Sequence, residues 1–314
     1  MSLRKKRFQT SFAFLLIVTG AIFVSEAARA AQLPQPLMSE DSLTKVSDHV
    51  YALGGFPNVG IVVGSRGTLV IDTGLGERNG ATVVRVAQKL AKGPNLYLTT
   101  THYHAEHTSG EQAFPASTII IRSAVQQEEM NKEIAAHLEV FRRMSAQNKE
   151  LLQNVTFRAP DILFDREAKL DLGGVTARLL WLGAAHTLGD ELIFVEEDSV
   201  LFPGDIVQKS IFPMMGNDVA GVKGWLAILD TVEALHPRWI VPDHGAPVVD
   251  GTQIGKEREY ILALQVRALE LKRQGLSAAE AGKQMTTELH AKYPDWPNVN
   301  NIAGEVARVY EQSQ

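Results

Sequence analysis

Residues 101–110 read Thr101-His102-Tyr103-His104-Ala105-Glu106-His107-Thr108-Ser109-Gly110. Three histidines and a glutamate fall within six residues, in a chain of 314 that holds nine histidines altogether. His102 and His104 stand at i and i+2, so on extended backbone both side chains leave on the same side. Glu106 and His107 follow where the chain can curl toward the same space. Neutral imidazoles and a carboxylate that converge in this way are typical zinc ligands. The run follows an apolar stretch at 96–101, so it occupies the end of an expected strand, where open sheets usually place their sites.

Working outward, residues 50–53, 59–63 and 68–72 are short apolar runs punctuated by Gly54, Gly55, Gly60, Gly64 and Gly67, which suits consecutive hairpins. Apolar residues at 83, 84, 86, 87, 90 and 91 give residues 78–92 a helical face. Past the histidine loop, 118–122 reads as a strand and 124–153 as a long polar helical stretch, with Leu138, Phe141, Met144, Leu151 and Leu152 at helical spacing. Strands are expected at 167–172, 175–182, 191–195 and 200–202, a helix at 223–235 and a last strand at 238–241. Beyond Gly251 only helical patterns remain, at 256–274, 277–290 and 301–312, with Ser277 and Glu280 spaced as a capping box. Strands followed by helices occur twice. This departs from strict βαβα alternation and fits two mixed sheets face to face with helices outside.

Three further residues share the strand-end setting of the histidine loop. His186 follows the 175–182 strand in Gly183-Ala184-Ala185-His186. Asp205 follows 200–202 in Pro203-Gly204-Asp205, and His244 follows 238–241 in Pro242-Asp243-His244-Gly245. Each lies beside a glycine turn.

In this order and spacing, His102-x-His104-x-Glu106-His107, then His186, Asp205 and His244, resemble the metallo-β-lactamase superfamily. The resemblance covers roughly residues 46–250 and includes Asp72-Thr73-Gly74, whose aspartate supports the metal loop in that family. It implies an α/β fold, the αββα four-layer sandwich, with residues 251–314 as a C-terminal helical extension. It further implies that His102, His104 and His186 bind one zinc, that Glu106, His107 and His244 bind a second, and that Asp205 bridges the two. Such a pair activates water for attack on a carbonyl, with Glu106 or Asp205 shuttling the proton. The family usually has aspartate where this chain has Glu106, one methylene longer.

The resemblance points to two substrate classes. The stretch from Gly204 to Asn217 is similar to that of β-lactamases with a cysteine zinc ligand at the position of Asp205. There Lys209 would hold the substrate carboxylate and Asn217 would assist the oxyanion. His107 replaces that subclass's arginine, and its combination with Asp205 resembles glyoxalase-II-like thioesterases and lactonases. A β-lactam amide is the first expectation, and a lactone or thioester the alternative. Two other classes stay open: a mononuclear iron oxygenase of the persulfide-oxidising type, and a binder that kept the fold without catalysis.

Apolar residues make up 45% of the chain and charged residues 21%, which excludes wholesale disorder and a polytopic membrane protein. Cysteine is absent, so there is no disulfide framework, thiolate metal site or cysteine nucleophile. The basic cluster Arg4-Lys5-Lys6-Arg7, an apolar run at 12–24 and Ala28-Arg29-Ala30 read as a signal peptide over 1–30, with 31–45 as a linker. Removing its five Lys/Arg and one Glu leaves 26 basic and 35 acidic residues, a net charge of −9. That surface argues against nucleic-acid binding, and the resemblance implies a small-molecule substrate. The mature chain is expected to be periplasmic or secreted, without stable membrane insertion.

Overall fold

The computed structural model describes residues 37–215 and 221–313. The expected signal peptide and Asn217 lie outside the described residues. The first sheet has seven strands in chain order: β1 (Leu43–Lys45), β2 (Val50–Leu53), β3 (Val59–Val63), β4 (Gly67–Ile71), β5 (Asn95–Thr99), β6 (Ile119–Ser123) and β7 (Ile162–Phe164). β1 to β4 pair antiparallel, and β5, β6 and β7 then add in parallel. The parallel pairs need crossovers. α1 (Gly76–Leu90) makes the first. The short α2 (Ala105–Thr108) lies in the second. α3 (Ala124–Met144) and α4 (Ala146–Leu151) make the third.

The second sheet holds β8 (Glu167–Asp171), β9 (Thr176–Trp181), β10 (Glu191–Val195), β11 (Val200–Phe202), β12 (Trp239–Ile240) and β13 (Val249–Asp250), in the order β13-β12-β11-β10-β9-β8. α5 (Gly221–Glu233) joins β11 to its parallel neighbour β12. α6 (Gln253–Arg273), α7 (Ala278–Lys292) and α8 (Asn301–Gln312) close the chain, and Ser277 and Glu280 form the expected capping box at α7.

Three apolar contacts hold the layers. Val62, Leu69 and Ile71 of the first sheet meet Leu179, Ile193 and Phe202 of the second. The sheets approach so closely that a Cβ on Gly60 would lie 2.3 Å from the Phe202 ring. On the outer face of the first sheet, Val83, Val86 and Ala87 of α1 cover Ile61, Val70 and Leu98. On the outer face of the second, Trp225 and Leu229 of α5, Ile261 and Leu264 of α6 and Val306 of α8 cover Leu192 and Leu201. β3, β4 and β10 are buried along their whole length, which is why they read as apolar runs, with only Thr68 and Glu191 polar. The result is the αββα arrangement, with the helical tail packed on the second sheet.

Three local expectations need correction. The stretch 31–45 read as a linker, yet Ser39 caps a single turn at Glu40–Ser42 and β1 then pairs with β2. An edge strand needs backbone pairing on one side only, so it carries little apolar pattern. β7, another edge strand, leaves Ile162 and Leu163 exposed, and β13 is two residues long. Neither is long or regular enough to show a period. Phe141 is buried as expected of a core residue, whereas Met144 is about half exposed.

Candidate metal centre

The ends of β5, β11 and β12, with the turn between β9 and β10, supply every candidate ligand, and the end of β4 supplies their support. At the end of β4, Asp72 adopts φ +67°, a left-handed conformation that a non-glycine residue holds only when its surroundings impose it. There its carboxylate accepts the Thr101 backbone N–H at 2.7 Å and the Thr101 hydroxyl at 3.0 Å. Thr73 grips the other end of the loop. Its N–H and Oγ1 both donate to the His107 carbonyl, at 3.0 and 2.8 Å, and its Oγ1 accepts from Gly110 N at 3.0 Å. α1 lies directly on this turn, since a Cβ on Gly80 would stand 2.1 Å from the Gly110 carbonyl oxygen.

The His186 turn is tied down in two ways. Asp190 accepts from Ala185 N, Thr187 N and Thr187 Oγ1 at 2.6–3.0 Å. Glu129, reaching across from α3, accepts from Leu188 N at 3.0 Å and Gly189 N at 2.8 Å. Asp205 sits in the turn Gly204–Ile206 after β11. The His244 loop is held by Asn58, which donates its N–H to the Asp243 carbonyl at 2.6 Å and its Nδ2 to the Pro242 carbonyl at 2.8 Å.

These supports bring all seven candidate ligands together. His102, His104 and His186 offer nitrogens within 4.8 Å of one another, as do the donor atoms of Glu106, His107 and His244. Asp205 stands between the two sets, its Oδ2 3.3 Å from His186 Nε2 and its Oδ1 3.3 Å from His244 Nε2. Behind the second set, His107 Nδ1 lies 3.1 Å from Asp72 Oδ2 and 3.4 Å from Asp243 Oδ2. Those contacts keep the proton on Nδ1 and the lone pair on Nε2. His186 is oriented likewise, its Nδ1 lying 2.8 Å from the Met214 carbonyl.

The residues fit a divalent cation on two observations. Among the described residues, five buried donor atoms from five of the seven have no hydrogen-bond partner: His102 Nε2, Glu106 Oε2, His107 Nε2, Asp205 Oδ1 and His244 Nδ1. Buried polar atoms are rarely left unpaired, and so many in one place call for an ion. In addition, His104 Nδ1 and His186 Nε2 face each other at 3.3 Å, where a cation between them satisfies both lone pairs. The electrostatics agree. Burial first, and neighbouring imidazoles second, push His102, His104 and His107 well below the usual histidine range, so they keep their lone pairs. Burial, with Asp205 and Asp72 nearby, pushes Glu106 well up. Burial does the same for Asp72, with Asp205 and Glu191 nearby, and for Asp243, with Asp72 and Asp205 nearby. Positive charge at the centre would relieve all three carboxyls.

Lys209 is exposed, and its carbonyl packs beside Gly245, next to His244. Four residues at the centre escaped the sequence reading. Glu129 and Asp190 brace the His186 turn, and Asp243 shares the Thr101 hydroxyl with Asp72, at 2.9 Å. His137 stacks on His104 with ring centroids 3.9 Å apart and planes 12° apart. Burial pushes it down to about 4. Asp243 adjoins His244 in sequence and was legible there. Glu129 and His137 lie on a polar helix with nothing to single them out.

Comparison with known proteins agrees with this geometry. The family model described as the metallo-beta-lactamase superfamily matches residues 52–244. The acyl-coenzyme A thioesterase MBLAC2 of Gallus gallus is 29% identical over 194 residues, covering 52% of this chain and 61% of the thioesterase. This chain therefore spans about three-fifths of that relative's length. The sec-alkylsulfatase Pisa1 from Pseudomonas sp. superposes with a TM-score of 0.65 at 17% identity, over 93% of this chain and 60% of the sulfatase. A metallo-beta-lactamase from Pontibacter korlensis superposes with a TM-score of 0.52 at 19% identity, over 70% of this chain and 98% of its own. At these identities the structural likeness establishes the fold alone.

Proposed function

We propose, because the chain belongs to the metallo-beta-lactamase superfamily, that it is a zinc-dependent hydrolase of activated acyl bonds, with thioesters as its substrate class. One observation carries the hydrolase reading: five buried donor atoms without a hydrogen-bond partner among the described residues belong to Asp205 and to four residues that gather with it in metal-holding groups. Zinc, when bound there, supplies Lewis acidity and brings the pKa of water toward neutrality.

The chain's own residues do the rest. His102, His104 and His186 form one neutral triad, and Glu106, His107 and His244 form a second that carries charge. Asp205 touches a histidine of each through a different oxygen, and so fixes their spacing. Asp205 and Glu106 are the carboxyl groups of the two sets that would take up a proton and return it to the leaving group. The Phe56 ring lies 4.6 Å from His244 and the Tyr103 ring 4.8 Å from His104, which gives the centre apolar flanks that limit water. A full set of seven ligands favours two ions over a single iron, and so favours hydrolysis over oxygenation.

The thioester is preferred because His107, with Nδ1 fixed by Asp72, is built as a ligand rather than as a substitute for arginine. The similarity to an acyl-coenzyme A thioesterase supports the same choice. A β-lactam amide is the second reading, favoured by the place of Lys209 beside the His244 loop. Assay of the zinc-loaded protein on acyl-coenzyme A thioesters, lactones, β-lactams and sec-alkyl sulfates tests the ranking. Thioesters should give the highest kcat/KM, and faster β-lactam turnover would reverse the two readings. Export to the periplasm or beyond rests on the basic, apolar and small-residue order within 4–30. Protein from its host should begin near Ala31, and an intact Met1 would overturn export.

A further inference from the structure

His137 reaches the centre from α3, well away in sequence from every candidate ligand. Its Nδ1 accepts the Ala105 backbone N–H at 3.1 Å. A ring nitrogen that accepts must present its lone pair, so the ring is neutral and its hydrogen sits on Nε2. Among the described residues no polar atom is bonded to that Nε2, and it is not one of the buried unpaired atoms. It is therefore a free donor. The ring lies flat on His104, whose own Nδ1 faces His186, and Tyr103 and Phe141 flank it at 5.6 and 5.0 Å. A fixed, neutral N–H is thus held on a ring stacked directly against a member of the first triad.

We propose that His137 is a further substrate-binding residue, whose Nε2–H donates a hydrogen bond to the acyl oxygen as it becomes negative during attack. The inference rests on the acyl-hydrolase reading for its substrate. Its chemistry is that of an oxyanion donor: preorganised, uncharged and held in one tautomer by a backbone amide. The competing role is purely structural, since capping Ala105 N–H steadies the turn that carries Glu106 and His107.

Two variants separate these roles. His137→Asn puts a carbonyl oxygen near the Nδ1 position, which keeps the cap and removes the distal N–H. His137→Phe removes both. In His137→Asn, zinc content should match the wild type while kcat on a thioester falls about 100-fold with KM nearly constant. Two readouts need no turnover. In protein with ¹⁵N-labelled histidine, the imidazole signals lost in His137→Asn should belong to a ring protonated on Nε2. Calorimetric binding of butyrate to the zinc-loaded protein should weaken roughly tenfold in the same variant. Wild-type kcat or butyrate affinity in a fully zinc-loaded His137→Asn would overturn the proposal. So would a proton on Nδ1, or zinc loss in His137→Asn as severe as in His137→Phe. If the wild type hydrolyses no acyl substrate, the functional reading fails, and the tautomer and butyrate measurements still decide the donor.

Discussion

Two regions of this molecule bury carboxyl groups, and they neutralise them differently. In the helical layer, burial pushes Glu257 and Glu305 up to about 8 each. Tyr260 donates its hydroxyl to Glu305 Oε2 at 3.2 Å, while Glu305 Oε1 has no hydrogen-bond partner among the described residues. Among the described residues no histidine joins these two in a metal-holding group. A proton on each acid is enough. At the strand ends, Asp72, Glu106 and Asp243 are also pushed up by burial, but they stand among imidazoles that keep their lone pairs. There a cation does what a proton does in the helices. Burial alone thus marks neither region as functional. Convergent lone pairs beside buried acids do.

The comparison breaks most sharply at His102. His102→Ala leaves one triad with two ligands, and zinc content and hydrolysis should fall together, activity by more than about 1000-fold. Metal analysis alongside the assay checks this, and full zinc in the variant would remove His102 from the centre. Chelation should come next. With zinc about 1000-fold above its dissociation constant, its removal should cost the fold about 4 kcal/mol. Thermal melting with and without a chelator measures that loss, and an unchanged melt would mean that the lone pairs need no ion.

Glu106→Gln keeps size and removes charge from the acidic triad. Second-ion affinity should weaken roughly 10–100-fold, with activity lost at low zinc and partly recovered at high zinc. Zinc titration followed by hydrolysis reads this, and equal affinity would place Glu106 outside the ligand set. The smallest effect belongs to the helices. Glu305 has a folded pKa above its unfolded value, so its protonation favours the fold fully below about pH 4.5 and is lost as pH rises through about 8. Glu305→Gln keeps an acceptor for Tyr260. It should stabilise the protein by about 1–2 kcal/mol at pH 8.5 and leave it unchanged at pH 4.5. Urea unfolding at both pH values tests it, and a pH-independent difference would mean that a proton is not what neutralises that layer.

Sequence legibility followed the physics of each element. β2, β3, β10 and β11 fall where the apolar runs put them, because strands buried on both faces leave apolar text. The edge strands β1 and β7 lack that text because packing barely constrains their side chains. Within the centre, Glu129 and Asp190 act through two or three hydrogen bonds each, and His137 through one hydrogen bond and one stacked ring. Such contacts ask only for the right atom in the right place and impose no period on the chain.

By itself, the sequence determined the dense loop from His102 to His107, the strand-end settings of His186, Asp205 and His244, and the two successive sets of strands and helices. These follow from local rules of spacing, turn chemistry and apolar period. Only the tertiary structure decided that the four ligand segments meet at one point, that Asp72 and Asp243 share the Thr101 hydroxyl behind His107, and that a histidine of α3 lies on His104 with its Nδ1 accepting the Ala105 N–H. Those facts depend on how two sheets and their crossover helices pack, and the distances packing sets between residues far apart in the chain leave no mark on the order of the residues.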